Sequence, residues 1–295
     1  MAGGTSEPGR SVLDRALAVL GSFSDERPEQ TLGEIVAATG LAAATVHRLV
    51  AELVAWGALE RPARGRYRIG IRLWQVGSLA PLARDLRDAA LPYLQDLGAV
   101  TGQVVHLVVL DGHQALFLER LPGHADVPVR SRVGRRMPAH ASGPGKVLLA
   151  YAPQQVVAEV IARGLPRMAK GTITDPHELT VALAEIRRVG YCLSRDEMTD
   201  GAASVAAPIV GPTGDVVASV SVVVPSSTEN LQPLVPAVLL TASAVGRALV
   251  PRSRFSAQCE DVLTARERRA DTPPHVRGSN AESRAELGAE PGPRP

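Results

Sequence analysis

The chain has little of several residue types, and each scarcity excludes a class of protein. Cys192 and Cys259 are its only cysteines, and neither has C-x-x-C or zinc spacing, which excludes a disulfide framework and fits a reducing cytoplasm. No apolar run approaches the ~20 residues that a membrane span needs, and residues 1–10 lack the apolar core of a signal peptide. The formal net charge is only +2, so any affinity for nucleic acid must come from local placement of arginines.

Residues 31–57 have the pattern of two helices joined by a tight turn. Thr31 and Glu34 have the T-x-x-E spacing of a capping box, and Gly40 is suited to end the first helix in a left-handed conformation. The second helix has apolar residues at every third or fourth position on one side. Its other side is small or hydrogen-bonding, as a helix that enters the major groove requires. The residues predicted to face DNA are Ala42, Ala43, Thr45, His47 and Arg48.

An arginine-rich hairpin is predicted behind this second helix. The chain becomes extended after Gly57, turns between Pro62 and Gly65, and returns as a second strand. We predict that Arg64 and Arg66 contact phosphate or the minor groove from this hairpin, so that helices and hairpin form a winged helix-turn-helix. A merely solvated basic surface is the alternative, because charge clusters are common on surfaces. Five arginines lie here without an intervening acid: Arg61, Arg64, Arg66, Arg68 and Arg72.

The sequence pattern of the rest of the chain predicts a second domain, in which helices pack beside a mostly antiparallel sheet. The predicted fold class is therefore α+β. Prolines, glycines and charges dominate the last 45 residues, which predicts disorder. The predicted domains are a disordered leader (1–10), a winged helix-turn-helix (11–72), a linker helix (73–82), a second domain (83–250) and a disordered tail (251–295). Within the second domain we predict strands at 103–110, 115–121, 127–133, 191–195, 203–210 and 216–224, and helices at 82–101, 145–151, 153–162, 176–189 and 231–249.

Motifs for enzyme chemistry are incomplete, so we predict that the protein is not an enzyme and has no cofactor. The GPGK segment would need glycine at His140 and a hydroxyl at Val147 to be a phosphate-binding loop. A nucleophile elbow around Ser142 would need the same glycine. An acid cluster that could suggest a metal site lies in a polar turn before a strand, and we interpret it as solvated. Its members are Asp196, Glu197 and Asp200.

Several segments, taken together and in order, resemble the IclR family of bacterial transcription regulators between about Ser11 and Val250. The resemblance implies a winged helix-turn-helix, a linker helix and a GAF-like domain that binds a small metabolite. It also implies homodimers, often paired into dimers of dimers, that bind pseudo-palindromic operators. The segments are SVLDRALAVL, LGEIVAATGL-x3-TVHRLVAEL-x5-LER, R-x-R-I-G, VGRRMPAHASGPGKVLLA, G-x2-S-V-A-A-P and VVASVSVVVP.

The resemblance also implies an effector pocket between the HASGPGK loop and the facing strands. Members that bind small carboxylates such as glyoxylate typically have Asp, Cys, Ser and Ser at four strand positions, which here are Ser194, Ser204, Ser221 and Val223. The more apolar Val223 therefore favours a larger organic or aromatic acid over glyoxylate. The residues that the resemblance assigns to the effector pocket are Gly143, Pro144, Ser194, Ser204, Ser221 and Val223.

The residues themselves give modest support for an anionic ligand. Backbone N–H groups at Gly143, Gly145 and the start of the following helix suit a carboxylate. His106 and His140 are candidates for ligand contact, although a lone histidine is more often part of a core or a surface. Upstream arginines add positive charge, with a solvated face as the alternative for most of them: Arg130, Arg132, Arg135 and Arg136.

These observations predict a cytoplasmic transcription regulator, a repressor rather than an activator. Operator DNA and a small organic acid are its predicted partners, and it is expected to act as a homodimer or a dimer of dimers. Two alternatives remain at this stage. The second domain would only oligomerise and sense nothing, or the protein would be an enzyme acting on a small acid.

Overall fold

The computed structural model describes residues 11–24, 26–124, 127–129 and 131–249. The predicted leader, the predicted tail and Cys259 lie outside these residues. The elements of the N-terminal domain are α1 (Val12–Gly21), β1 (Glu29–Thr31), α2 (Leu32–Thr39), α3 (Ala43–Trp56), β2 (Leu59–Glu60) and β3 (Arg66–Ile69).

Helix α2 of the N-terminal domain begins at a capping box and ends at a glycine in the left-handed conformation. The Glu34 backbone N–H donates to the Thr31 hydroxyl, and the Thr31 backbone N–H donates to the Glu34 carboxylate at 2.6 Å, which completes the predicted capping box. These bonds from Thr31 hold the pKa of Glu34 below its ordinary value. Gly40 ends α2 at φ 68°, as predicted. One apolar core unites the three helices and the hairpin: Val19, Ile35, Val46, Leu49, Val50, Leu59 and Tyr67.

The hairpin belongs to a three-stranded antiparallel sheet in the order β1-β3-β2. Pro28 favours a loop over residues 25–30, but the end of this segment is a strand, because Glu29 and Gln30 pair with Arg68 and Tyr67 of β3. A three-residue strand has too little periodicity to be recognised in a sequence. Its effect is to fix the hairpin against the start of α2.

Two helices lead into the C-terminal domain, α4 (Ile71–Gly77) and α5 (Pro81–Thr101). The linker helix is shorter than the predicted 73–82, since α4 ends before Ser78 and Pro81 begins the next helix. Pro92 lies inside α5 without interrupting it. Gly102 then ends α5 at φ 66°.

The C-terminal domain is a six-stranded antiparallel sheet covered by helices on both faces, which confirms the α+β class. Its strand order is β6-β5-β4-β9-β8-β7. One face packs against α5 and α9, and the other against α6 and α8. The strands are β4 (Val104–Asp111), β5 (Gln114–Leu121), β6 (Arg136–Pro138), β7 (Cys192–Arg195), β8 (Ala202–Val210) and β9 (Val216–Pro225), and the helices are α6 (Gly143–Tyr151), α7 (Gln154–Ala162), α8 (Pro176–Val189) and α9 (Val235–Ala248).

The segment 127–133 was wrongly predicted as a strand. Among its described residues none pairs with a strand, and the Val129 N–H instead donates to the Val127 carbonyl in a tight turn. Pro128 between them has no N–H to offer a sheet. The strand of this region is β6, a three-residue segment that pairs with β5.

Within the described part of the chain, no single helix is long and apolar enough to cross a membrane. The pair α2 and α3 together pass that test of length and composition, with a bend of 115° between them. The same residues contain no group of three or more His, Cys, Asp or Glu side chains that could hold a metal ion.

Candidate functional site

The outer side of α3 is exposed where the sequence predicts contact with DNA. Ala42, Ala43, His47 and Arg48 are exposed, and Thr45 is half-buried. The opposite side of α3 packs in the core, so the helix is held by its apolar stripe and presents the other side to solvent. Arg48 forms no hydrogen bond or ion pair with the described residues, and its guanidinium is available to a base edge or a phosphate.

The five arginines of the hairpin region divide into two groups. Three of them have partners in the protein. Arg61 donates to the Tyr67 hydroxyl, and Arg68 forms an ion pair with Glu60. Arg72 donates to the backbone carbonyl of Trp56, and its guanidinium lies over the Trp56 indole ring. Arg64 and Arg66 are exposed and form no such bond with the described residues. We name as the DNA-reading surface the following residues: Ala42, Ala43, Thr45, His47, Arg48, Arg64 and Arg66.

The C-terminal domain contains a cavity between the start of α6, the strands β4, β8 and β9, and the segments around Ser131 and Glu197. It encloses about 460 Å³ of space free of atoms, with open solvent at its mouth included. The wall is mixed in chemistry, with one histidine, one acid, several hydroxyls and an apolar remainder: His106, Phe117, Val129, Ser131, Met137, Ser142, Gly143, Pro144, Ser194, Glu197, Met198, Thr199, Ala202, Ala203, Ser204 and Val223.

The first turn of α6 forms one side of this cavity. The Ser142 hydroxyl caps the helix by accepting from the Gly145 N–H at 3.1 Å, and the Lys146 N–H donates to the Ser142 carbonyl. Pro144 has no N–H, so the remaining N–H of this turn belongs to Gly143, which has no acceptor among the described residues. Such an N–H at a helix start suits a carboxylate oxygen.

Glycine at position 143 allows the strands to approach α6 closely. A Cβ placed on Gly143 would lie 2.5 Å from the Ser204 Oγ and 3.4 Å from the Ser194 Cβ. The first distance is shorter than real contacts of a Cβ atom. The two serines and the Gly143 backbone therefore meet at one point of the cavity wall.

His106 is buried in the same wall and is neutral. Burial, with a smaller contribution from the nearby charge of Arg120, lowers the pKa of its imidazole to about 3. The His106 Nε2 and the Ser131 Oγ share a hydrogen bond of 2.6 Å, and the ring meets Phe117 edge-on with 5.1 Å between centroids. The other ring nitrogen forms no hydrogen bond with the described residues, so it remains available to a ligand.

Glu197 contradicts our interpretation of the acids at 196–200 as a solvated turn. Its side chain is only 9% exposed, and its Oε1 accepts from the Lys146 Nζ at 2.6 Å. Asp196 is also buried and has a left-handed backbone, φ 54°. In the same turn, the Glu197 carbonyl accepts from the Thr172 hydroxyl. The turn is therefore a packed structure that directs a carboxylate inward.

Comparison with known proteins identifies the chain. Residues 12–63 match the IclR helix-turn-helix domain, and residues 82–248 match the C-terminal domain of the bacterial transcriptional regulator IclR. The chain belongs to the IclR family. Its relatives are transcription regulators, so this IclR protein is a DNA-binding transcription regulator and not an enzyme.

Two relatives and one solved structure show the extent of the likeness. The regulator BhcR of Paracoccus denitrificans is 33% identical over 255 residues, which cover 85% of this chain and 91% of BhcR. The repressor AllR of Escherichia coli is 28% identical over 230 residues, 76% of this chain and 85% of AllR. The crystal structure of an IclR homolog from Microbacterium hydrocarbonoxydans, complexed with 4-hydroxybenzoate, has a TM-score of 0.77 and 36% identity over 81% of this chain and 99% of that one.

The cavity of this IclR protein brings together five of the six residues expected from the resemblance, Ser221 being the exception. Ser221 pairs with His106 of β4, and its hydroxyl is fully buried with no partner among the described residues. The described arginines upstream of α6, Arg132, Arg135 and Arg136, also lie outside the wall. Arg135 pairs with Glu26 and Arg136 pairs with Asp111, whereas Arg130 lies outside the described residues. His140 is not in the wall either, and its Nε2 bonds the Pro166 carbonyl instead. Burial lowers the pKa of the His140 imidazole.

The sequence did not indicate several residues of the wall. Phe117, Met137 and Met198 look like ordinary core residues, and their role depends on a gap in packing that a sequence does not show. Ser131 was hidden in a segment wrongly assigned to a strand. The position of Ser142 directly before a glycine-rich helix start could have indicated a role in the cavity wall. We considered Ser142 only as a nucleophile.

Proposed function

We propose that this regulator binds operator DNA through the DNA-reading surface and that a small organic acid in the cavity controls its affinity. The observation that carries the proposal is the cavity wall, where the Gly143 N–H and the serine hydroxyls meet beside apolar side chains. These groups suit a carboxylate attached to an apolar body. The effector site and the DNA site lie in separate domains of one chain. If both sites bias the same conformational equilibrium of the protein, binding of effector alters the affinity for DNA, and binding of DNA alters the affinity for effector by the same factor.

We extend to this chain the class of ligand found in the homolog, an aromatic carboxylate. Phe117, Met137, Met198 and Val223 line the cavity and suit a ring. Val223 pairs with Ser204 across the two strands, so it adds an apolar side next to a polar one. A compact dianion would find little to balance its charge, because the wall contains no arginine or lysine among the described residues.

Homodimerisation is part of the proposal, and exposed apolar residues on two helices support it. Trp74 on α4 is 67% exposed and Leu13 on α1 is 66% exposed, which is unusual for side chains of this size in a monomer. A second copy would cover them and would place two α3 helices on the two halves of a pseudo-palindrome. A dimer of dimers remains our expectation from the resemblance. We further propose repression as the sign of regulation, as in AllR, and action in the cytoplasm where operator DNA lies.

Replacement of Arg48 by alanine is expected to weaken binding to the specific operator by about 1–3 kcal/mol and to reduce discrimination against unrelated DNA. The physical reason is loss of a base-edge contact from the exposed side of α3. The measurement is a pair of binding titrations, on the DNA upstream of the gene and on a scrambled duplex of equal length.

Arg64→Ala is the matched control, since it removes the same side chain from the hairpin. It is expected to weaken binding to both duplexes alike and to lower the slope of log affinity against log salt by about one. Unchanged operator affinity in Arg48→Ala would contradict our placement of the reading face.

Ser204→Leu is expected to abolish the response to effector while leaving DNA binding intact. The Ser204 hydroxyl lies against the Gly143 backbone, so a leucine side chain would fill the point where the carboxylate is proposed to bind. The measurement is a thermal-shift screen against aliphatic and aromatic carboxylates, with each hit retested for its effect on DNA binding. A ligand at 100 times its Kd stabilises the native protein by about 2.7 kcal/mol.

Ser243→Leu, at an exposed position of α9, is the control for this substitution. It is expected to respond to the same compounds as the wild-type protein. If no carboxylate stabilises the wild-type protein while DNA binding is normal, the effector proposal fails. The alternative, a C-terminal domain that only oligomerises, would then be favoured.

A further inference from the structure

The segment between Ser131 and Met137 leaves the cavity wall and returns to it. Ser131 lies in the wall and shares the hydrogen bond with His106. Met137 of β6 lies in the same wall. Between them, residues 132–135 come to the surface, where Val133 is 56% exposed. We name residues 132–135 the connecting turn.

Backbone hydrogen bonds fix the connecting turn to a further part of the wall. The Gly134 N–H donates to the Phe117 carbonyl at 2.8 Å, and the Phe117 N–H donates to the Arg135 carbonyl at 3.0 Å. Phe117 itself lines the cavity. Paired backbone groups stay paired when a segment shifts, since an unpaired buried group is costly. A shift of Phe117 therefore carries the connecting turn with it.

The outer side of the connecting turn contacts the DNA-binding domain. Arg135 forms an ion pair with Glu26, which is 109 residues away along the chain, with 3.4 Å between the Nη2 and Oε1 atoms. The two domains therefore meet at this point in addition to their covalent connection. The ion pair lies in a groove that residues of both domains line: Phe23, Ser24 and Glu26 from one, and Val133, Gly134 and Arg135 from the other.

The residues that the turn contacts are attached to the core of the DNA-binding domain. Phe23 packs against the apolar core that also holds α3. Glu26 lies between Ser24 and Arg27, whose backbones exchange two hydrogen bonds of 2.9 Å and 3.2 Å. A force on Phe23 or Glu26 is therefore transmitted to α3 through packed residues, because protein interiors are dense and deform little.

Helix α4 is fastened to the same domain, which leaves the connection between α4 and α5 as a hinge. The Ile71 N–H at the start of α4 donates to the Glu60 carboxylate at 3.0 Å, and Arg72 bonds the Trp56 carbonyl at the end of α3. Residues 78–80 separate α4 from α5. Hinges commonly consist of a few such residues between packed elements. A DNA-binding domain that turns about this hinge changes its contact with the connecting turn.

We propose that the connecting turn couples the cavity to the DNA-reading surface, and that the Arg135–Glu26 contact is the interaction through which the two sites affect each other. This inference deepens the proposed function and rests on it. An effector that displaces the wall at Phe117 changes the position of Arg135, and the DNA-binding domain then turns about residues 78–80. Because coupling between binding sites is reciprocal, DNA on the reading surface acts on the same turn.

Hydrogen exchange of the full-length protein tests the contact without knowledge of the effector. Exchange at residues 131–137 is compared between the free protein and the protein bound to the DNA upstream of its gene, with α8 as the reference within the same domain. DNA is expected to change exchange at the turn by about two- to five-fold relative to α8, the range that an exposed ion pair supplies. No change relative to α8 would overturn the inference.

Charge reversal at the ion pair is the second arm. Arg135→Glu is expected to bind the DNA but to lose the change of exchange at the turn, and Glu26→Arg should lose it too. The double variant, Glu26→Arg with Arg135→Glu, should regain it, because opposite charges again face each other. Arg136→Glu is the matched control and should keep the change, since the partner of Arg136 is Asp111 of its own domain. A wild-type change in Arg135→Glu, or no recovery in the double variant, would overturn the inference.

Benzoate is the probe for the effector side of the coupling. The ratio of DNA affinities with and without saturating benzoate is expected to move towards one in Arg135→Glu, by up to about five-fold, and to recover in the double variant. Stabilisation by benzoate in a thermal shift should persist in Arg135→Glu, because Arg135 lies outside the cavity wall. An unaltered ratio in this variant would overturn the inference and leave the effector proposal standing. Absence of stabilisation by benzoate, with an Arg135-dependent change of exchange at the turn, would support the contact and count against the effector proposal alone.

Discussion

Replacement of Lys146 by methionine is expected to lower the free energy of unfolding by about 3–5 kcal/mol, the usual effect of breaking a buried ion pair by removing one partner. Lys146 is 4% exposed and Glu197 is 9% exposed in their side chains. Methionine fills a similar volume, so the loss comes from the carboxylate left uncompensated in the interior. Urea titrations followed by circular dichroism measure the change.

Lys170→Met is the matched control, because Lys170 is the other lysine of the chain and also contacts an acid. Its Nζ lies 3.2 Å from the Asp196 Oδ2, but its side chain is 70% exposed. Asp196 is buried, but it also accepts from the Gly201 N–H, and the Lys170 ammonium is largely solvated. Loss of Lys170 should therefore cost about 0–1 kcal/mol, as for exposed pairs, and this variant should unfold close to the wild-type protein.

A double variant, Lys146→Met with Glu197→Met, separates the burial of a lone charge from the loss of packing. It is expected to be more stable than Lys146→Met alone, since replacing both members of a buried pair by apolar residues is often neutral or better. A double variant less stable than the single one would show that the ion pair itself stabilises the domain.

The helix-turn-helix could be predicted from sequence because its signals are local. Thr31 and Glu34 lie within one helical turn of each other, and the left-handed residue after α2 is the glycine that such a position favours. The apolar stripe of α3 needs only its own spacing. What escaped prediction was β1, whose pairing with β3 spans about forty residues and leaves no local pattern.

The cavity was only partly predictable from the sequence, because its wall depends on contacts between residues that lie far apart along the chain. Strand alternation correctly places Ser221 and Val223 on one face of β9, but it does not say how far along the strand the cavity extends. The inward direction of Glu197 depends on Lys146, which is 51 residues away. A carboxylate in a polar turn is usually solvated, and only the folded chain reveals the partner that allows its burial.

His106 is expected to stay neutral far below the pH at which an ordinary histidine gains a proton. Its folded pKa of about 3, against an ordinary value of 6.5, results from burial and secondarily from Arg120. In NMR spectra recorded from pH 8 to pH 4.5, the ring signal of His106 should not shift. Loss of one signal in His106→Gln assigns the resonance.

The same burial makes the folded protein sensitive to acid. Below pH 6.5 the unfolded chain binds a proton at His106 that the native chain does not, so native stability falls as the pH falls, by about 1.4 kcal/mol per pH unit from this group until the pH approaches its folded pKa. His106→Gln should therefore lose stability less steeply than the wild-type protein between pH 6 and pH 4.5, by about that slope. Equal slopes in the two proteins would mean that His106 takes up a proton in the native state, and that Ser131 accepts from a charged ring rather than sharing a bond with a neutral one.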